Sequence, residues 1–132
     1  MLRVVVTGGR TFADEVMVKR ALCHLHDTYG IELLIHGDAS GADRLCGFWA
    51  MGNHVAVQAC PADWSDLSGA AVIKQRRDGT YYNALAGFNR NQSMLTDHHP
   101  NYGVAFPGGR GTDDMVKRML AADLPVWDLR GC

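Results

Sequence analysis

One pattern constrains this chain more than any other. Short apolar runs end in turn-forming residues, and each run but the last is followed downstream by a stretch with helical periodicity. Leu2–Val6 runs into Thr7-Gly8-Gly9 and has the look of a buried strand. Asp14–Tyr29 then places Val18, Leu22, Leu25 and Tyr29 on one helical face, with Gly30 as the cap. Ile31–Ile35 is a second buried strand, closed by His36-Gly37, and Gly41–Met51 is a helix bounded by Gly52. His54–Gln58 is a third strand, and the stretch from Pro61 to Asn83 is polar and irregular. A helix over Ala84–Thr96 turns Leu85, Phe88 and Leu95 to one side, and Tyr102–Phe106 is a fourth strand. Asp113–Ala122 forms a last helix with Met115, Met119 and Ala122 inward, and Pro125–Leu129 is a fifth strand. Strands alternating with helices mean parallel βαβ units. The expectation is therefore α/β: one domain over 1–132, in three layers, with a doubly wound, mostly parallel sheet of about five strands and helices on both faces. The strand order expected is 3-2-1-4-5.

Glycine says where such a fold would do its work. There are 15 glycines in 132 residues, about 11% against roughly 7% in average usage. They follow no Gly-X-Y period, so a collagen-like chain is excluded. Seven of them fall in three loops at strand ends: Thr7-Gly8-Gly9-Arg10, then His36-Gly37 through Gly41 to Asp43, then Pro107-Gly108-Gly109-Arg110-Gly111-Thr112. In an open parallel sheet ligands bind beyond the carboxyl ends of the strands, where strand order reverses. Strands one and four flank that point, so the first and third loops are expected to share a crevice with the second beside it. Glycine lets backbone approach an anion closely, and the free N–H groups at a helix start favour negative charge. The third loop is neither a Walker loop, for it lacks Gly-Lys-Ser/Thr, nor a G-x-G-x-x-G turn.

Other groups are candidates for the same crevice. Arg90, followed by Asn91, sits in the helix before the fourth strand and is either a bidentate phosphate clamp or a solvated surface cation. Asp43 either accepts from a ribose hydroxyl or a base, or complements a helix start. His36 either contacts ligand or closes its turn. Trp64 is a stacking platform or a packing residue. His24, His26, His54, His98 and His99 have no triad or metal-ligand spacing, and there is no Gly-x-Ser-x-Gly elbow.

Composition excludes further classes. Thirteen basic against fourteen acidic residues leave a charge of -1, without the basic excess of a nucleic-acid module. No apolar run reaches eighteen residues, and the N-terminal apolar stretch is too short for a signal peptide. Cys23, Cys46, Cys60 and Cys132 form no C-x-x-C pair, so free thiols in a cytoplasmic protein are expected, and no metal site.

Six segments in order resemble the SLOG superfamily, which includes the Lonely Guy proteins, and within it the YspA, cpYpsA-related branch. They are Val6-Thr7-Gly8-Gly9-Arg10, His36-Gly37-x-Ala39-x-Gly41-Ala42-Asp43, Trp49-Ala50, Pro61-Ala62-Asp63-Trp64, Ala86-Gly87-x-x-Arg90-Asn91-x-x-Met94 and Phe106 through Thr112. The resemblance implies a Rossmann-like fold that binds a nucleotide or nucleotide-derived ligand, AMP or ADP-ribose in kind, as a sensing or processing module. It carries no separate cofactor. It also implies a homo-oligomer, most simply a dimer.

Lonely Guy enzymes are phosphoribohydrolases, and here their pattern is only partly kept. Arg90 and Met94 fit, so Arg90 is the one catalytic candidate carried over, but Asn91 and Ser93 stand where that pattern has Lys and Glu. The phosphate loop matches through Thr112, yet Met115 occupies the position of its last glutamate. Methionine neither supports an oxocarbenium-like ribose nor activates water. Binding is therefore the leading reading. The alternative is a nucleoside-monophosphate N-glycosidase with a displaced acid, at Asp43, Asp113 or Asp114. Residues 72–83 exceed the branch pattern, and their Lys74, Arg76, Arg77, Tyr81 and Tyr82 suit a lid, a solvated loop or an oligomer contact.

Overall fold

The β-branched and leucine-rich runs do form strands, and their order is the expected one. In a computed structural model that describes residues 1–69 and 71–131, β1 (Leu2–Thr7), β2 (Ile31–His36), β3 (Ala56–Ala59), β6 (Tyr102–Ala105) and β7 (Val126–Asp128) make one sheet. A separate pair, β4 (Ile73–Gln75) and β5 (Tyr81–Asn83), stands apart from it. The large sheet is ordered β3-β2-β1-β6-β7, and every neighbouring pair is parallel. Four helices complete the chain: α1 (Glu15–Tyr29), α2 (Ala42–Gly52), α3 (Ala86–His98) and α4 (Arg110–Ala121). None of the described helices is long and apolar enough to cross a membrane. Cys132 lies outside the described residues; Cys23, Cys46 and Cys60 are free thiols.

Side chains alternate across a strand, and that alternation divides the core. Val4, Val6 and Leu34 face α1 and α2, packing on Leu22, Leu25, Cys46 and Ala50. Val5 and Ile35 face the other way, onto Met94 and Leu95 of α3 and Met115 and Met119 of α4. The result is three layers, with helices on both faces of a doubly wound, Rossmann-like sheet.

Several boundaries differ from expectation. The polar stretch from Pro61 to Asn83, expected to be irregular, holds the β4–β5 hairpin, paired from Ile73↔Asn83 to Gln75↔Tyr81. Its turn is set by Gly79 at φ +90°, and its base by buried Asn83, whose Oδ1 accepts from Val72 N–H (3.2 Å) and Leu85 N–H (2.9 Å). Two three-residue strands whose side chains are mostly exposed bury too little apolar surface to print a period on the sequence. Helix α4 starts at Arg110, three residues earlier than expected, because the first N–H groups of a helix need no helical partner and a glycine is tolerated there. Leu85 lies just outside α3 and Phe88 is half-buried, so the inward face is Ala86, Asn91, Met94 and Leu95. Tyr29, the last residue of α1, is 58% exposed, and Ala122 has already left α4. Gly52 is the last residue of α2, and Asn53 caps it.

Candidate functional site

The three glycine loops interlock at the carboxyl end of the sheet. Gly9 N–H donates to Pro107 C=O (2.9 Å), Ala42 N–H to Gly9 C=O (3.1 Å), and the Ser40 hydroxyl to Arg10 C=O (3.1 Å). This close approach explains several glycines. A Cβ at Gly8 would collide with the Cβ of Ala42, and one at Gly108 would sit 2.7 Å from the Gly9 nitrogen. Gly41 adopts φ +75°, and a Cβ there would lie 2.6 Å from the carbonyl carbon of Arg10. These glycines let loop pack on loop. Gly109 and Gly111 are different: a Cβ at either meets nothing within 4 Å. Both open onto a crevice of about 280 Å³.

That crevice collects residues from every loop that the sequence singled out. Thr7, Gly8, Gly9 and Arg10 line one side; Gly109, Arg110, Gly111 and buried Thr112 line another. Asp43, Arg90 and Asn91 close it, with Val6, Ala39 and Met94 as further wall. The N-terminus of α4, capped by Gly109, therefore presents the N–H end of a twelve-residue helix to the cavity. Arg10, Arg90 and Arg110 are the cationic residues of the lining, and none of them forms a salt bridge among the described residues.

Two of the polar residues are tied to each other through backbone. Asp43 Oδ2 accepts the N–H of Gly37 (3.1 Å) and of Ala39 (3.3 Å). Arg90 Nη1 donates to the carbonyl of the same Gly37, and Arg90 Nε donates to Asn91 Oδ1 (3.1 Å). Burial pushes the Asp43 carboxyl above the usual carboxylate range; the Ala39 N–H and the nearby His36 and Arg90 act against it. Burial also lowers Arg90 from its ordinary value, opposed by Asp43. Asn91 is buried, and its amide donates to Gly111 C=O and Asp114 Oδ2, both at 3.1 Å. It thus joins α3 to the first turn of α4.

Five candidate residues lie outside the crevice wall: His36, Gly37, Gly41, Pro107 and Gly108. The last four shape the loops. His36 closes its turn, with Nδ1 accepting from Asp38 N–H (2.9 Å), and it borders a groove on the α2 side instead. Strand alternation explains this, because Ile35 faces α3 and α4 and its neighbour must face α1 and α2. Trp64 packs beside Gly87, with the Arg10 guanidinium 5.6 Å from its ring centroid. None of Lys74, Arg76, Arg77, Tyr81 and Tyr82 lines the crevice; Arg76 lies over Tyr82 at 4.7 Å on the hairpin itself.

The acids are sorted as clearly. Met115, at the Lonely Guy glutamate position, is fully buried in the core. Asp113 pairs with Arg130 (2.9 Å) and Asp114 with Arg118 (2.7 Å). Of the three displaced-acid candidates only Asp43 lines the crevice. The sequence did not mark Val6, Ala39 and Met94 as wall residues; all three were visible only as members of the motif segments.

Two comparisons bear on the family of the chain. The family model of YAcAr, the YspA, cpYpsA-related SLOG family, matches residues 2–66, which contain the first two glycine loops and Asp43. The chain is also similar to the Gene 61 protein of Mycobacterium phage D29, at 31% identity over 135 residues, covering 96% of this chain and 94% of that protein. That similarity spans nearly the whole of both chains.

Proposed function

The chain belongs to the YspA, cpYpsA-related SLOG family, and on that premise we propose that its crevice binds the phosphate of a nucleotide or nucleotide-derived ligand, AMP or ADP-ribose in kind, as a sensing module. One observation carries the reading. The first turn of α4 opens onto the crevice at two glycines whose Cβ positions are empty, so a phosphate oxygen has access to backbone N–H. Arg10, Arg90 and Arg110 add charge without competing ion pairs. Thr112 adds a hydroxyl. Calorimetric titration of the full chain with AMP, ADP-ribose and inorganic phosphate tests it. Saturable heat with either nucleotide supports the reading, and no heat with any of the three sinks it.

A second reading rests on Asp43. It is the one carboxyl on the described wall, and burial helps it hold a proton, as a general acid must. Such a site would be an N-glycosidase acting on nucleoside monophosphates. Its Oδ2, however, is already occupied by two backbone N–H groups, which favours a role in shaping the 37–39 loop. Binding without release of free base is the expected outcome; base release from a panel of nucleoside monophosphates would reverse the order of the two readings.

A further inference from the structure

Helix α2 has a second apolar face that the sheet does not use. Cys46, Trp49 and Ala50 are buried beneath the helix, whereas Phe48 and Met51 are 61% and 68% exposed. With Val55 and Val57 they wall a groove of about 450 Å³. That volume is within the range of small-molecule sites, roughly 300–1,000 Å³.

The floor of the groove is polar. His36 is only 7% exposed. Its Nδ1 accepts the Asp38 N–H, which leaves Nε2 as the donor position of the ring. Among the described residues Nε2 has no hydrogen-bond partner. Gly47 keeps that edge of the ring open, since a Cβ at this position would lie 3.2 Å from Nε2. Glycine is disfavoured inside a helix, and at position 47 it makes room for the His36 ring of β2. Two exposed side chains of opposite charge border the groove, Arg44 and Asp38, and neither forms a salt bridge among the described residues.

An apolar wall, one unpartnered donor, one cation and one anion together match a particular ligand chemistry. We propose that this groove is a binding site for a hydrophobic α-amino acid. The carboxylate is taken by His36 Nε2–H and Arg44, the ammonium by Asp38, and the side chain by Phe48, Met51, Val55 and Val57. A zwitterion leaves the pair Arg44 and Asp38 neutralised, which neither a simple acid nor a simple amine does. The site is separate from the crevice and does not depend on the phosphate reading.

Amide chemical-shift titration of the labelled full chain tests this with three probes: L-phenylalanine, phenylacetate and phenethylamine. L-Phenylalanine is expected to shift the signals of residues 36–38, 44–51 and 55–57 saturably, leaving 108–112 unmoved. The acid and the amine are each expected to bind at least about fivefold more weakly, for want of one charged contact. Gly47→Ala favours the helix but narrows access to Nε2, and is expected to weaken L-phenylalanine at least about fivefold. Arg44→Gln, on an exposed side chain, is expected to do the same without touching the core. No saturable shift with any probe overturns the proposal, as does equal binding of all three. So does movement of the same signals with protein concentration alone, which would mean that a second copy of the chain fills the groove.

Discussion

Asp43 and Arg90 hold the same residue from opposite sides. The carboxylate of Asp43 takes the N–H of Gly37 at 3.1 Å, and the guanidinium of Arg90 takes its carbonyl. The two charges also lie on the crevice wall. The loop after β2 is thereby fixed to α3, across the sheet from the helix that the loop itself starts. A side chain at Gly37 would collide with this arrangement, its Cβ lying 2.7 Å from Arg90 Cζ and 3.0 Å from Asp43 Oδ2.

Arg90→Ala is therefore expected to act twice, removing a cation from the crevice and releasing the 37–39 loop. Affinity for AMP or ADP-ribose should fall at least tenfold, about 1.4 kcal/mol. Arg90→Lys should recover little of it. A single ammonium lacks the planar fork that reaches both the Gly37 carbonyl and the Asn91 side chain. Calorimetry that finds Arg90→Ala binding as tightly as the parent would remove Arg90 from the site.

The glycines divide into two groups with opposite consequences. Gly41→Ala puts a methyl group into the Arg10 backbone at a φ of +75°, and should cost roughly 2–4 kcal/mol of stability. Gly111→Ala meets nothing within 4 Å, and in the first turn of a helix should be neutral or stabilising by about 0.5–1 kcal/mol. The same methyl group stands at the mouth of the phosphate seat, so nucleotide affinity should drop while the urea midpoint holds. A Gly111→Ala protein with undiminished affinity would show that the phosphate sits elsewhere.

This division marks what the sequence can and cannot convey. Strand order and the convergence of three loops were legible, because buried apolar runs and glycine turns are imposed by the sheet itself. Which glycines pack on backbone and which face open space was not, since Gly108 and Gly109 are chemically identical neighbours separated only by what lies opposite. The direction of His36 was available in principle from the alternation of Leu34 and Ile35 between the two core halves. The exposed face of α2 was likewise written at Phe48 and Met51, but two apolar residues at helical spacing look the same whether they are covered or not. The hairpin over 73–83 left no apolar period, because its side chains are mostly exposed.

Asp43 also predicts a pH dependence. Its carboxyl is raised in the folded protein above the ordinary value of 3.8, chiefly by burial. Between those two values the folded state binds the proton more tightly than the unfolded chain does. Stability contributed by this group is therefore full below 3.8 and is lost as pH rises through the raised value. Asp43→Asn keeps an oxygen for the Gly37 and Ala39 N–H groups but cannot ionise. Urea unfolding of both proteins from acid to neutral pH should show the parent losing stability relative to the variant as pH rises. Parallel curves would mean that Asp43 titrates alike in the folded and unfolded chain.

Met115 decides how far the site goes toward catalysis. In the Lonely Guy pattern a glutamate stands there, so restoring it by Met115→Glu asks whether only one side chain separates this protein from a phosphoribohydrolase. The position argues against that. Met115 is fully buried among Val5, Ile35, Met94, Leu95 and Met119, and it does not line the crevice. A carboxylate introduced there would be desolvated without a partner, at a cost of about 3–5 kcal/mol. That is a large part of the roughly 5–15 kcal/mol that holds a typical domain together. The expected outcome is a clear drop in melting temperature and no release of free base from nucleoside monophosphates. If Met115→Glu instead stays stable and releases base, its side chain reaches the crevice, and the binding reading gives way to an enzyme that lacks one acid.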